Sequence, residues 1–217
     1  MMQHKFEDIS QHVSLRGLLK LDRIAAEAAQ VARERESAGK KLADAVSDSG
    51  WVIAQVAFGH EQTVEKDMLD AGIGAWVPMR MGPERKRHRK RIPPSPTTVF
   101  NGLVFIYCCP TGEALRGIRS FIHVKNVIMN GEAAARISTE TVNNFRDLAA
   151  RGEYDWERPA PTFIKDQKVR ITTGPFVGFE VVIEGFASKG HGDAIVSINI
   201  FGRPTPFNMP LAMLEKV

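Results

Sequence analysis

Residues 102–109 read Gly-Leu-Val-Phe-Ile-Tyr-Cys-Cys, an apolar run without a charged side chain. Neighbouring side chains of a strand point to opposite faces. A run that is apolar at every position therefore predicts a central strand covered on both sides. The flanking sequence supplies the cover. Residues 51–58 (Trp-Val-Ile-Ala-Gln-Val-Ala-Phe) alternate well enough for a second strand. Val64, Met68 and Ala71 share one face of a helix that Gly72 is placed to stop. Gly74–Arg80 reads as a further strand around Pro78, Glu113–Phe121 as a short helix and His123–Met129 as a strand. Ser138 is the expected N-cap of a last helix, with Val142, Phe145 and Ala149 on one face and Gly152 past its end. Residues 51–151 are thus expected to form one α/β domain.

The sequence on either side changes character. Residues 1–50 carry eight basic and eight acidic side chains, and from Leu15 to Val46 they are rich in Ala, Leu, Glu, Lys and Arg without proline. That composition favours helix, and the short apolar stripe of Leu15, Leu18, Leu19 and Ile24 predicts a loosely held one. It reads as an N-terminal helical extension, either solvated and partly frayed or binding a partner. Residues 152–162, with their polar side chains and prolines, read as a flexible linker. From 163 to 217 short strands follow in quick succession, with Val169 and Ile171 on one face, which suggests a small barrel.

The chain's net charge is +4, yet Arg80–Arg91 alone holds seven Lys or Arg against Glu84, a local +6. The basic character is a patch, not a property of the whole chain. The patch continues into Pro93, Pro94 and Pro96, so residues 82–98 are expected to be extended and mobile. It is either a solvated loop or a surface for nucleic-acid phosphates, which Arg85, Lys86, Arg87, Arg89, Lys90 and Arg91 would contact. No aromatics are interleaved, so base stacking is not suggested. The 163–217 segment, with six basic and five acidic residues, lacks such a footprint.

Cys108 and Cys109 are adjacent in a predicted strand and match no zinc spacing, which points to a reducing compartment. No apolar run approaches the roughly 18 residues of a membrane span, and the first residues lack the apolar core of a signal peptide. A cytoplasmic location is expected. His60-Glu61-Gln-Thr-Val64 lacks the second histidine of the zinc-protease motif, and neither a phosphate-cradling glycine loop nor a nucleophile elbow is present. No enzyme, cofactor or metal site is expected.

Lys168–Phe186, followed by Val196–Val217, resembles the KOW domain of the bacterial NusG transcription elongation family. The matching features are the Gly174-Pro175-Phe176 turn, the Phe201-Gly202-Arg203 turn and Thr205-Pro206. Trp51, Gly59-His60-Glu61, Trp76-Val77-Pro78 and Gly102 with its apolar strand are similar to the family's N-terminal (NGN) domain. The resemblance covers about residues 51–217. It implies an α+β fold: an NGN-type α/β sandwich with a mainly antiparallel sheet, then a small SH3-like KOW β-barrel. It also implies a monomeric, non-enzymatic elongation factor. Trp51, Phe100, Gly102 and Leu103 would meet the clamp helices of the largest RNA polymerase subunit. Phe176, Phe179, Phe201 and Arg203 would dock a small ribosomal subunit protein or the Rho factor, unless individual phenylalanines plug the barrel instead. The basic run would lie near DNA beside the polymerase cleft. An alternative is a ribosome- or RNA-associated KOW protein without a polymerase role. The family commonly has proline at 101, tyrosine at 103 and glycine at 181, where this chain has Asn101, Leu103 and Val181. With the N-terminal extension, these departures suggest a specialised paralog.

Overall fold

The computed structural model describes residues 14–87, 90–155, 163–186, 192–200 and 203–217. The spine of its first half is an antiparallel pair, β1 (Gly50–Val56) and β7 (Leu103–Cys108), with Trp51 opposite Tyr107 and Ile53 opposite Phe105. β2 (Gly74–Trp76) and β8 (Val124–Val127) flank the pair in the order β2-β7-β1-β8. Strand alternation sorts the side chains. Val52, Ala54, Val56, Val104, Ile106 and Cys108 pack with Val64 and Met68 of α3 (Glu61–Asp70) and Ala114 and Ile118 of α4 (Gly112–Arg119). Trp51, Ile53, Leu103 and Phe105 face the other way, toward Val142 and Phe145 of α5 (Thr139–Ala150). The apolar run is therefore a central strand buried on both faces, as its composition requires. Ser138 caps α5 by accepting from Thr141 N at 3.1 Å. β9 (Met129–Asn130) and β10 (Ala133–Ala134) form a small hairpin before it.

The segment before residue 50 does not stand apart. Helix α1 (Leu15–Ser37) is exposed over its first turns, at Leu15, Leu19 and Ile24, but its last turns lie against α4. Arg35 donates to Ser120 Oγ at 2.8 Å, and its guanidinium lies 4.0 Å over the Phe121 ring. Ala38 is buried, as is Ala43 of α2 (Lys40–Ala45), and Lys40 N donates to Gly72 O. The expectation of a loosely held extension is corrected for residues 31–45. Its physical basis is Gly117, whose missing side chain lets α4 meet the α1 backbone; a Cβ there would collide with the carbonyl of Glu34. Gly117→Ala is expected to undock the end of α1 and cost about 1–3 kcal/mol. A lowered melting temperature, with amide-exchange protection lost over residues 31–38, would register it.

The basic run is likewise more ordered than a mobile loop. β3 (Met79–Met81) pairs with β6 (Pro96–Thr98), and β4 (Arg85–Arg87) pairs with β5 (Lys90–Ile92). The result is a two-stranded basic arm. Its strands are only three residues long, and what holds them is cross-strand hydrogen bonding that local composition does not reveal.

The second half is an antiparallel sheet of β11 (Lys168–Ile171), β12 (Glu180–Phe186), β13 (Asp193–Ile200), β14 (Arg203–Pro210) and β15 (Leu214–Lys216), ordered β14-β13-β12-β11-β15. The alternation holds: Val169, Ile171, Val181 and Ile183 are buried, while Lys168, Arg170, Glu180 and Glu184 are exposed. A register shift between Ile183 and Gly185 adds local twist. Val181 sits in regular strand without a positive φ, so the missing glycine costs no strain there. The chain is an α+β protein with antiparallel sheets and a small C-terminal β-domain.

The two halves share one hydrophobic core. Phe100, Phe105 and Phe145 belong to the same buried cluster as Phe163, Val169, Phe176, Val196 and Met213. Tyr154, in the segment expected to begin a flexible linker, is 2% exposed and packs 5.2 Å from Phe145. The expected tether is corrected at this residue, because the aromatic ring is more stable inside the shared core than in water. Residues 156–162 lie outside the described residues. Among the described residues, no helix is long and apolar enough to cross a membrane.

Candidate functional site

The site is the face on which the halves meet, and it begins at a turn. Gly102 adopts φ +77°, a conformation that favours glycine. Its N–H donates to Glu61 Oε1 at 2.5 Å, and its carbonyl accepts from Val56 N at 2.8 Å. Glu61 is 3% exposed at the start of α3. Its carboxylate thus fixes the loop that delivers Phe100. Asn101 Oδ1 accepts from Thr98 Oγ1 at 2.8 Å, so the polar residue found where proline is usual closes the same loop.

Phe100 points at the second half. Its ring lies 6.1 Å from Phe176, edge to face, and 5.7 Å from Phe145. Gly174, at φ +87°, places backbone beside it: a side chain there would come within 3.5 Å of Phe100 Cζ. Phe176 continues to Phe207 at 6.0 Å and to Phe179 at 6.3 Å. Phe145 is the hub on the other side, touching Trp76, Phe100, Phe105 and Tyr154 with centroids 5.2–6.0 Å apart.

A polar clasp closes one edge. Arg80 of β3 donates to both carboxylate oxygens of Asp193 at 2.7 and 2.6 Å, and its Nη1 lies 3.4 Å from Tyr154 O. The two side chains are 6% and 7% exposed. Next to it, Met81 N donates to Asp155 Oδ1 at 2.8 Å. A bidentate guanidinium–carboxylate pair removed from water is specific in geometry. It is costly to break from one side, since the remaining charge stays buried.

A family model described as "Transcription termination factor nusG" matches residues 49–146. The chain is 25% identical over 183 residues to the transcription termination/antitermination protein NusG of Campylobacter jejuni, covering 79% of this chain and 99% of that one. It is 25% identical over 178 residues to that of Neisseria meningitidis, covering 77% and 97%. To that of Vibrio cholerae it is 29% identical over 143 residues, covering 65% and 72%. The chain is thus similar to NusG proteins over most of its length, and residues 49–146 match the family model. Among solved structures, one described as domain interaction in Thermotoga maritima NusG aligns over 78% of this chain and 97% of its own, at 23% identity and a TM-score of 0.43.

In this NusG-like chain the residues expected to meet polymerase are brought together but covered. Phe100 and Leu103 are fully buried. Trp51 is 6% exposed and capped from its own half: Arg146 of α5 lies 4.8 Å over the rings of both Trp51 and Trp76. Burial pushes the Arg146 pKa down, partly offset by the Glu65 carboxylate nearby. In this arrangement Trp51, Phe100 and Leu103 face the protein's own core and not solvent. Of the residues expected to dock a second partner, Phe176 is buried against Phe100, whereas Phe179 is half exposed. Arg203 begins β14, and Phe201 lies outside the described residues. In the arm, Arg85, Lys86 and Arg87 are on β4 and Lys90 and Arg91 on β5, with Lys86, Lys90 and Arg91 exposed; Arg89 lies outside the described residues.

Sequence reasoning did not bring Arg80, Asp193, Tyr154 or Arg146 to the site, and it placed Phe145 only on the core face of its helix. Arg80 reads as the end of a strand and the start of the basic run, and nothing in the sequence singles out Asp193. They are 113 positions apart, and no local signal pairs them.

Proposed function

We propose that this chain is a non-enzymatic transcription elongation factor of the termination/antitermination type, which binds RNA polymerase through the Phe100 face of its first half. The observation that carries this reading is the contact between Phe100 and Phe176. Two aromatic surfaces that family resemblance assigns to different partners are packed against each other. Large apolar side chains at such positions need cover, and here each half covers the other. In this reading Trp51, Gly102 and Leu103 shape the polymerase-binding face beneath and beside Phe100. Phe176, Phe179, Phe201 and Arg203 serve a second partner, a small ribosomal subunit protein or Rho. The basic arm, through Arg85, Lys86, Arg87, Arg89, Lys90 and Arg91, holds DNA phosphates without reading sequence. The factor acts in the cytoplasm and is a monomer.

Since the free chain hides both faces, only its opened fraction is competent. An apparent dissociation constant is then the intrinsic one divided by that fraction. A variant that opens the clasp is expected to bind core polymerase about tenfold tighter or more. Phe100→Ala in that background is expected to lose the gain. Fluorescence titration of core polymerase with the full chain measures both. Equal affinities for the closed chain, the opened variant and its Phe100→Ala derivative would sink the reading. Recovery of ribosomes without polymerase from a pull-down would favour a KOW protein of the translation apparatus instead.

A further inference from the structure

We infer that Arg80 is a phosphate-binding cation held in reserve, neutralised by Asp193 in the closed chain and added to the basic arm when the halves separate, so that nucleic acid binds the open form better and promotes opening. The inference rests on the reading of the arm as a phosphate contact.

Arg80 stands at the arm's root. It is the middle residue of β3, opposite Thr97 of β6, and Gly82 N donates to Ser95 O at 3.0 Å to carry the ribbon outward. Only four residues separate it from Arg85 of β4, a span of at most about 17 Å in extended chain. That reach suits the same run of phosphates, because duplex DNA carries a charge roughly every 1.7 Å of axis. The clasp is also not sealed away from the arm. Arg80 and Asp193 line a cavity of about 430 Å³ that Pro83, Pro96 and Thr97 border at the arm's root.

The charge balance gives the coupling its direction. The stretch 80–91 is formally 7 − 1 = +6 with Arg80 included. In the closed chain Asp193 brings an anion to its root, leaving +5. Opening withdraws the carboxylate and exposes the guanidinium, which matches phosphate bidentately. A ligand shifts a conformational equilibrium only by its differential affinity for the two states, and this one added contact is that difference. Linkage makes the effect reciprocal: whatever factor opening adds to affinity, the ligand adds to opening.

The test uses the full chain and a fluorescein-labelled 20-base-pair duplex of arbitrary sequence, with binding followed by anisotropy across a salt series. Asp193→Asn, which removes the clasp's negative charge, is expected to bind about threefold to tenfold tighter than wild type at low salt. Its log–log salt slope should be steeper by about 0.9, the value of one phosphate contact. The double variant Arg80→Gln/Asp193→Asn, equally unclasped but without the cation, should lose that increment. Equal slopes for the two variants would overturn the inference. A separate check leaves the clasp residues intact: saturating unlabelled duplex should lower the energy transfer between fluorophores placed at the exposed positions Asp67 and Glu184, and undiminished transfer would also overturn the inference. The underlying reading of the arm is judged apart. Lys86→Gln/Lys90→Gln/Arg91→Gln should weaken duplex binding; if it does not, the arm itself is not the contact. If the triple variant weakens binding but Arg80 adds no slope, only the reserve role falls.

Discussion

Asp193→Ala is expected to separate the two halves. The substitution takes the Asp193 carboxylate away from the Arg80 guanidinium, in a site where that side chain is 6% exposed. Breaking a buried pair from one side costs about 3–5 kcal/mol. The chain can relieve that cost without unfolding, because opening the clasp hydrates Arg80 while each half keeps its own sheet. Some 3–5 kcal/mol corresponds to roughly a hundredfold to a few thousandfold change in the closing equilibrium. Small-angle scattering should show a larger radius of gyration for the variant than for wild type. The charge-reversed pair Arg80→Asp/Asp193→Arg should recover part of the closure. An unchanged radius in Asp193→Ala would mean that the aromatic contacts alone hold the halves together.

Phe145→Ala should be the most damaging single substitution in the shared core. Its ring touches four aromatic side chains from β2, β7, the Phe100 loop and the segment after α5. Truncating a buried phenylalanine costs about 3–5 kcal/mol, a large share of the 5–15 kcal/mol typical of a folded domain. Phe179→Ala is the internal contrast: that ring is 51% exposed, and its removal should cost about 1 kcal/mol or less. Urea denaturation followed by far-ultraviolet circular dichroism separates the two. A midpoint for Phe145→Ala close to that of wild type would contradict the packing described.

What the sequence disclosed was what depends on near neighbours. The apolar run 103–108 had to be covered on both faces, and it is. Ser138 had the side chain and position of an N-cap. Gly102 and Gly72 stood where the backbone turns through positive φ. The strands of the second half alternate visibly. What stayed hidden depends on distant pairing. Arg80 and Asp193 look like solvated charges until the fold removes both from water together. Phe145 was legible as a core residue of its helix but not as the link to Tyr154 and Phe100. The basic arm looked irregular because its order comes from pairing of three-residue strands across the ribbon. Likewise, Gly117 gives no sign that another helix backbone rests on it until α1 is in place.

The same dependence governs the partner faces. Phe100 and Phe176 are assigned by family resemblance to surfaces for other molecules. In this chain they cover one another. Under the proposed function, polymerase reaches this face only by exchange, replacing the second half.

That exchange is most directly tested by the distance between the halves, measured with a donor and an acceptor fluorophore at the exposed positions Asp67 and Glu184. Energy transfer should be high in the free chain and fall when core polymerase is added to saturation, as the enzyme takes the place of the second half on Phe100. Undiminished transfer in the saturated complex would show that polymerase binds elsewhere and that the shared face is merely structural.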